Sequence, residues 1–153
     1  ELVVALGRDA PAGILAPEAA MPLVFAYGIG LDLTRRDLQA AAKAKGLPWD
    51  TGKAFDHSAP VSALLPAAGL DGIDDLQLSL DVNGTARQAA SLRDLIWPVA
   101  DILHELSKLY ALRAGDLVFM GTPAGVGPLL PGDQYRAALG EVLQLQGRIV
   151  AAV

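Results

Sequence analysis

Leu76-Gln77-Leu78-Ser79-Leu80-Asp81-Val82-Asn83-Gly84 alternates apolar and polar side chains without a slip as far as Val82, then meets Asn-Gly. Successive residues of a strand face opposite sides of a sheet, so the alternation predicts a half-buried strand. Asn-Gly is the pair that most readily supplies the two positive φ angles of a tight hairpin. Thr85–Ala90 is therefore predicted to return antiparallel.

Toward the C-terminus, Pro98–Tyr110 puts Val99, Ile102, Leu103, Leu106, Leu109 and Tyr110 on one helical face, with Pro98 suited to a first turn. His104 falls on the polar side of that helix and is expected to face solvent. Asp116–Met120 reads as a strand running into Gly121-Thr122-Pro123-Ala124-Gly125-Val126-Gly127. Residues 134–153 read as two or three strands turning near Gly140 and Gly147.

Toward the N-terminus, Leu2–Leu6 is a short apolar run of strand character, and residues 10–22 form a loop with room for one weak helical turn. Leu23–Leu31 reads as a strand with Gly28 and Gly30 at alternate positions, where glycine signals close approach by another backbone or a ligand. Thr34–Lys45 reads as a helix: Thr34 caps it, Asp37 sits in the first turn, Lys43 and Lys45 in the last, and Gly46 stops it. Residues 47–52 and 58–75 are turn-rich loops. The result is an α+β fold, mostly β, with two main helices.

The chain has 153 residues and 15.9 kDa, the size of a single domain over residues 1–153 that can build a core without staples. Apolar residues are 52% and charged ones 19%, which excludes a disordered chain. Net charge is −5 with no basic run, so nucleic acid is not an expected partner. Zero cysteines exclude disulfides, thiolate metal sites and a Cys nucleophile. No apolar stretch reaches the ~20 residues of a membrane span, and no signal peptide is visible, so the expected compartment is the cytoplasm.

Three polar constellations interrupt this apolar framework. Asp32 stands where a buried strand meets a helix, and Arg36 and Gln39 share a face of that helix. Two readings stand side by side: a capping Asp with a surface ion pair, or a carboxylate ligand for a hard cation with Arg36 and Gln39 aimed at an anionic substrate. Lys53, in Gly52-Lys53-Ala54-Phe55-Asp56-His57, reads by itself as a solvated lysine, and no second His lies at metal-ligand spacing from His57. The 121–127 segment fits neither a P-loop nor a dinucleotide fingerprint. Its exposed N–H groups and the Thr122 hydroxyl make a turn that can hold a carboxylate. The absence of G-x-S-x-G argues against a serine hydrolase.

Together, ELVVALG at 1–7, YGIGLDLTRRDLQ at 27–39, GLPWDTGKAFDHSAP at 46–60 and GDLVFMGTPAGVGPLLPGD at 115–133 resemble the fumarylacetoacetate hydrolase family, in family order and over essentially the whole chain. The resemblance implies a mixed β-sandwich roll holding a divalent cation, Mg²⁺ or Mn²⁺, on three carboxylates (Ca²⁺ could take its place in a crystal). Two come from a Glu-x-Glu strand pair, whose members point the same way, and one from the Asp ending the next strand. Asp32 matches that Asp and Glu1 the second Glu. The first Glu, and a His–Glu pair that activates water, would precede Glu1.

The family reaction so implied hydrolyses the C–C bond of an acylpyruvate, with the metal as Lewis acid on the keto-enolate oxygens. The TRRDLQ and KAFDHSAP wording is most similar to members cleaving fumarylpyruvate to fumarate and pyruvate in gentisate-type aromatic degradation. By the same resemblance Lys53 supports the developing negative charge, Arg36 and Gln39 face the substrate, and Thr122 with Gly121 holds its carboxylate. His57 stands where many relatives carry Thr and is not assigned the base; Asp37 and Asp56 read as supports. Two rivals are kept: decarboxylation or isomerisation of oxaloacetate or an unsaturated oxo-diacid in the same pocket, and a dicarboxylate-binding scaffold without turnover. The expected partners are the small diketo acid and a second copy of the chain in a homodimer.

Overall fold

The computed structural model describes residues 1–151. Its strands are β1 (Leu2–Leu6), β2 (Val24–Ile29), β3 (Leu65–Pro66), β4 (Gln77–Val82), β5 (Thr85–Ser91), β6 (Leu117–Phe119), β7 (Gln134–Leu139) and β8 (Leu143–Arg148). Its helices are α1 (Pro17–Ala20), α2 (Arg36–Ala44), α3 (Asp50–Lys53) and α4 (Val99–Ser107). The strands form two four-stranded antiparallel sheets, in the orders β3-β2-β1-β6 and β5-β4-β7-β8. This is the expected α+β, mostly β, sandwich with two main helices, α2 and α4.

The Asn-Gly hairpin forms where expected. Val82 pairs with Thr85 across Asn83 (φ 52°) and Gly84 (φ 76°), the positive-φ pair a two-residue turn requires. Leu78 and Val82 are buried, and on the other side of β4 Leu78 pairs with Leu139 and Leu80 with Ala137. The register of β4 against β5 shifts between Leu80, opposite Gln88, and Asp81, opposite Ala86, which leaves Arg87 without a partner. That bulge bends β5 and re-aims its side chains.

Leu2, Val4 and Leu6 of β1, Tyr27 and Ile29 of β2, Leu78 of β4, and Leu139 of β7 share one core cluster with Leu103 of α4. Val3 and Ala5, on the other face of β1, are buried as well, so the strand reads as an unbroken apolar run. The expected close approach at Gly28 and Gly30 comes from side chains instead of a backbone or a ligand. A Cβ at Gly30 would lie 2.6 Å from the Phe119 ring, and one at Gly28 would lie 2.9 Å from Leu64.

Several local expectations change. Thr34 does not cap α2; its hydroxyl donates to the Asp32 carbonyl at 3.2 Å, and the helix starts at Arg36. Asp50, Thr51 and Gly52, expected as loop, close one helical turn with Lys53. Helix α4 stops at Ser107, leaving Leu109 and Tyr110 exposed beyond it. His104 is half-buried, and its Nδ1–H donates to the Leu15 carbonyl at 2.6 Å, while Leu15 N–H donates to Ser107 Oγ at 2.9 Å. The periodicity of α4 alone gave no sign of that loop. Gly147 is no turn: it lies within β8 opposite Tyr135, whose hydroxyl occupies the space a Cβ would need. Among the described residues no helix is long and apolar enough to cross a membrane.

Candidate active site

Strand register assembles the site. With Leu2 opposite Ile29, the start of β1 lies beside the exit of β2, and Gly30 N–H donates to the Glu1 carbonyl at 3.0 Å. Two residues on comes Asp32. With Val3 opposite Phe119 on the other side of β1, the exit of β6 also ends beside Glu1, and Gly121 N–H donates to Glu1 Oε2 at 3.0 Å. One central strand thus brings Glu1, Asp32 and the glycine turn to the same sheet end.

Lys53 is delivered by α3. Gly52 lies against the first turn of α2, where a Cβ would sit 3.1 Å from the Gln39 nitrogen, and its carbonyl accepts from Arg35 N–H at 2.9 Å. From this turn Lys53 Nζ donates to Asp32 Oδ2 at 2.5 Å. Asp32 therefore pairs with Lys53 and not with Arg36, whose Nη1 donates to Gln39 Oε1 at 3.0 Å. The surface ion pair weighed for Asp32 and Arg36 is absent among the described residues because each side chain has this other partner.

The second sheet supplies the opposite wall. Gln88 Nε2 donates to Thr122 Oγ1 at 2.9 Å and to the Pro123 carbonyl at 2.8 Å. Gly125, at φ 98°, seats the turn on the β5 bulge, where a Cβ would come within 2.1 Å of the Arg87 carbonyl. The cleft between the walls measures about 700 Å³, within the range of small-molecule pockets.

Glu1, Asp32, Arg36, Lys53 and Thr122 all line this cleft, with Asp37 beside them. Gly121 touches it only through its N–H to Glu1, and Gln39 is outside the lining, reaching it through Arg36. His57 and Asp56 stay out of the cleft. Arg87 and Gln88 line it and were missed. Their signal was present: two long polar residues in succession break the alternation of β5, as a bulge does.

Burial lifts the Glu1 carboxyl above its ordinary range and the Asp32 charge pushes it up further, against the pull of the Gly121 N–H and Lys53. Glu1 and Asp32 thus face one half-buried space, with Asp37, a lysine and two arginines around them. The donors are all oxygen, which suits a hard cation. Among the described residues no three His, Cys, Asp or Glu side chains gather.

Two antiparallel sheets with an oxygen-lined cleft flanked by lysine and arginine side chains define a small-molecule pocket in an α+β sandwich. The chain belongs to the fumarylacetoacetate hydrolase family, since residues 1–150 match that family's C-terminal domain model. It is 41% identical over 134 residues to a fumarylpyruvate hydrolase of Ralstonia sp., covering 88% of this chain and 68% of the relative. It is 46% identical over 112 residues to the oxaloacetate tautomerase YcgM of Escherichia coli K12, covering 72% of this chain and 51% of that one. The fold superimposes with a TM-score of 0.91, at 41% identity, on a Pseudomonas aeruginosa fumarylpyruvate hydrolase in complex with Mn²⁺ and pyruvate, covering 99% of this chain and 64% of that one. The chain therefore spans between about half and about two thirds of the length of these relatives.

Proposed function

We propose that this chain forms the metal and substrate pocket of an acylpyruvate hydrolase, with fumarylpyruvate as the preferred substrate. The observation that carries this reading is that Glu1, Asp32, Lys53 and Thr122, drawn from four separate stretches, line one cleft. The Mn²⁺ and pyruvate held by the Pseudomonas aeruginosa relative support it from outside the chain.

In this reading Glu1 and Asp32 would hold Mg²⁺ or Mn²⁺ through carboxylate oxygens. The chemistry such an ion supplies when bound is Lewis-acid polarisation of a carbonyl oxygen. The chain's own groups do the rest. Lys53, already donating to Asp32, keeps an ammonium beside the carboxylates, where it offsets negative charge developing on the substrate. The Thr122 hydroxyl, on a turn anchored at both ends, donates to the pyruvate carboxylate. Arg36 supplies a guanidinium for a second carboxylate, with Arg87 adding positive charge to the cleft. The apolar surfaces of Leu80, Val82 and Leu129 exclude water from the carbon chain.

The test follows the enol absorbance of fumarylpyruvate and of a short acylpyruvate with the full chain in Mg²⁺, Mn²⁺ and EDTA. Metal-dependent decay that EDTA abolishes is expected; no decay with either metal favours the scaffold. The oxaloacetate tautomerase names among the relatives favour a second reading in the same pocket, in which the C–C bond survives. Accelerated keto–enol exchange of oxaloacetate without pyruvate release from acylpyruvates would select it. Arg36→Ala is expected to lower kcat/KM for the diacid about 10- to 100-fold, the worth of a charged hydrogen bond, and for the short acylpyruvate far less. Equal losses on both substrates would remove Arg36 from contact with the substrate.

A further inference from the structure

The contacts of Gln88 are one-sided in a way that bears on Thr122. Its Nε2 lies 2.8 Å from the Pro123 carbonyl oxygen and 2.9 Å from Thr122 Oγ1. A carbonyl oxygen only accepts, so the group facing Pro123 must be the amide nitrogen; the flipped side chain would set two oxygens against each other. With both Nε2 hydrogens committed, Thr122 Oγ1 is the acceptor of its bond to Gln88. The hydroxyl's own hydrogen is left over, and Thr122 lines the cleft.

We propose that Gln88 is a positioning residue that orients the Thr122 hydroxyl as a donor into the cleft, toward an anionic oxygen of the bound keto acid. Two features of the fold make this arrangement hold. The β5 bulge places Gln88 opposite Leu80, with both side chains at the cleft, and leaves Arg87 unpaired beside it. Gly125 lets the turn lie directly on the Arg87 carbonyl, so Thr122 and Pro123 are within reach of one amide. A hydroxyl carries one hydrogen and two lone pairs; here Gln88 occupies one lone pair, which orients the hydroxyl and leaves its hydrogen to turn into the cleft. The oriented hydrogen favours a carboxylate or enolate oxygen at that point of the cleft.

The inference rests on the pocket assignment above, and the experiment separates the two. Pyruvate binding to the full chain loaded with Mn²⁺ is measured by calorimetry for the wild type, Gln88→Met, Thr122→Val and the double variant. Thr122→Val is expected to weaken pyruvate binding about tenfold and Gln88→Met about fivefold, as loss of one charged hydrogen bond and of its orientation. Because Gln88 acts through Thr122, adding Gln88→Met to Thr122→Val should change affinity less than about twofold. Multiplying losses, or an unchanged Gln88→Met, overturn the inference while leaving the pocket in place. Failure of the Mn²⁺-loaded wild type to bind pyruvate overturns both. Should Gln88→Met not fold, the isosteric Gln88→Glu replaces it. Its carboxylate can only accept, so it draws the Thr122 proton away and should bind pyruvate no better than Thr122→Val. Wild-type affinity in Gln88→Glu would equally overturn the inference.

Discussion

Asp32→Asn is expected to weaken Mn²⁺ binding at least about 100-fold while leaving the metal-free protein folded. The neutral amide keeps the size of the side chain but removes one of the two cleft carboxylates assigned to the metal, and direct ligation is worth more than the 10- to 100-fold of an outer contact. The fold should hardly notice. The Lys53–Asp32 pair is about a third exposed, at 32% and 36%, so it contributes at most about 1 kcal/mol. In a chain of this size that is a fall of no more than about 4 °C in Tm. The rest of the local structure does not use the Asp32 carboxylate: the neighbouring backbone is held by Gly30 N–H to the Glu1 carbonyl and Leu33 N–H to the Ser58 carbonyl. Calorimetric titration with MnCl₂ and a melting curve in EDTA measure the two halves. An unchanged Mn²⁺ affinity would remove Asp32 from the ligand set.

Gly125→Ala should have the second large effect, through the substrate side of the pocket and not the metal side. Its φ of 98° is one that L-residues avoid, and the new methyl would point at the Arg87 carbonyl, 2.1 Å away. A backbone oxygen cannot swing aside as a long side chain can, so the turn must lift from the bulge. Strain of this kind costs about 1–3 kcal/mol, and the lifted turn separates Thr122 and Pro123 from Gln88. Pyruvate affinity should fall at least about tenfold, with Mn²⁺ affinity nearly kept because Glu1 and Asp32 sit on the other sheet. Equal loss of metal and pyruvate binding would mean that the turn supports the carboxylates as well. Wild-type pyruvate binding would mean that the seat on the bulge is not needed.

Local chemistry made much of the framework legible. The 76–84 stretch specified a strand and its turn because alternation and Asn-Gly φ preferences act within a few residues. Leu2–Leu6 was identifiable as a strand from its unbroken apolar run, which both buried faces explain. What failed was also local in cause but remote in its resolution. Thr34 looked like a cap, yet its hydroxyl turned to the Asp32 carbonyl; His104 looked solvated, yet a loop 89 residues earlier in the chain covers it. Gly30 looked like the approach of another backbone or a ligand, and Phe119 from another strand fills the space.

The site divides along the same line. Resemblance named Glu1, Asp32, Arg36, Gln39, Lys53, Gly121 and Thr122; the cleft is lined by all of them but Gln39 and Gly121, and nothing in their spacing says that they meet. They meet because β1 pairs with β2 on one side and with β6 on the other, bringing positions near 1, 30 and 121 to one end. Register between distant strands is chosen by burying a whole core at once, a condition no short window of residues contains. The one-residue bulge at Arg87 is decided in the same way, by how β5 lies on β4 and beneath the glycine turn. Residue order alone therefore specified strands, turns and the kinds of groups available, because those depend on neighbours a few bonds apart. Packing of the two sheets chose which groups face each other, because hydrogen-bond register and steric seating exist only between segments far apart in the chain.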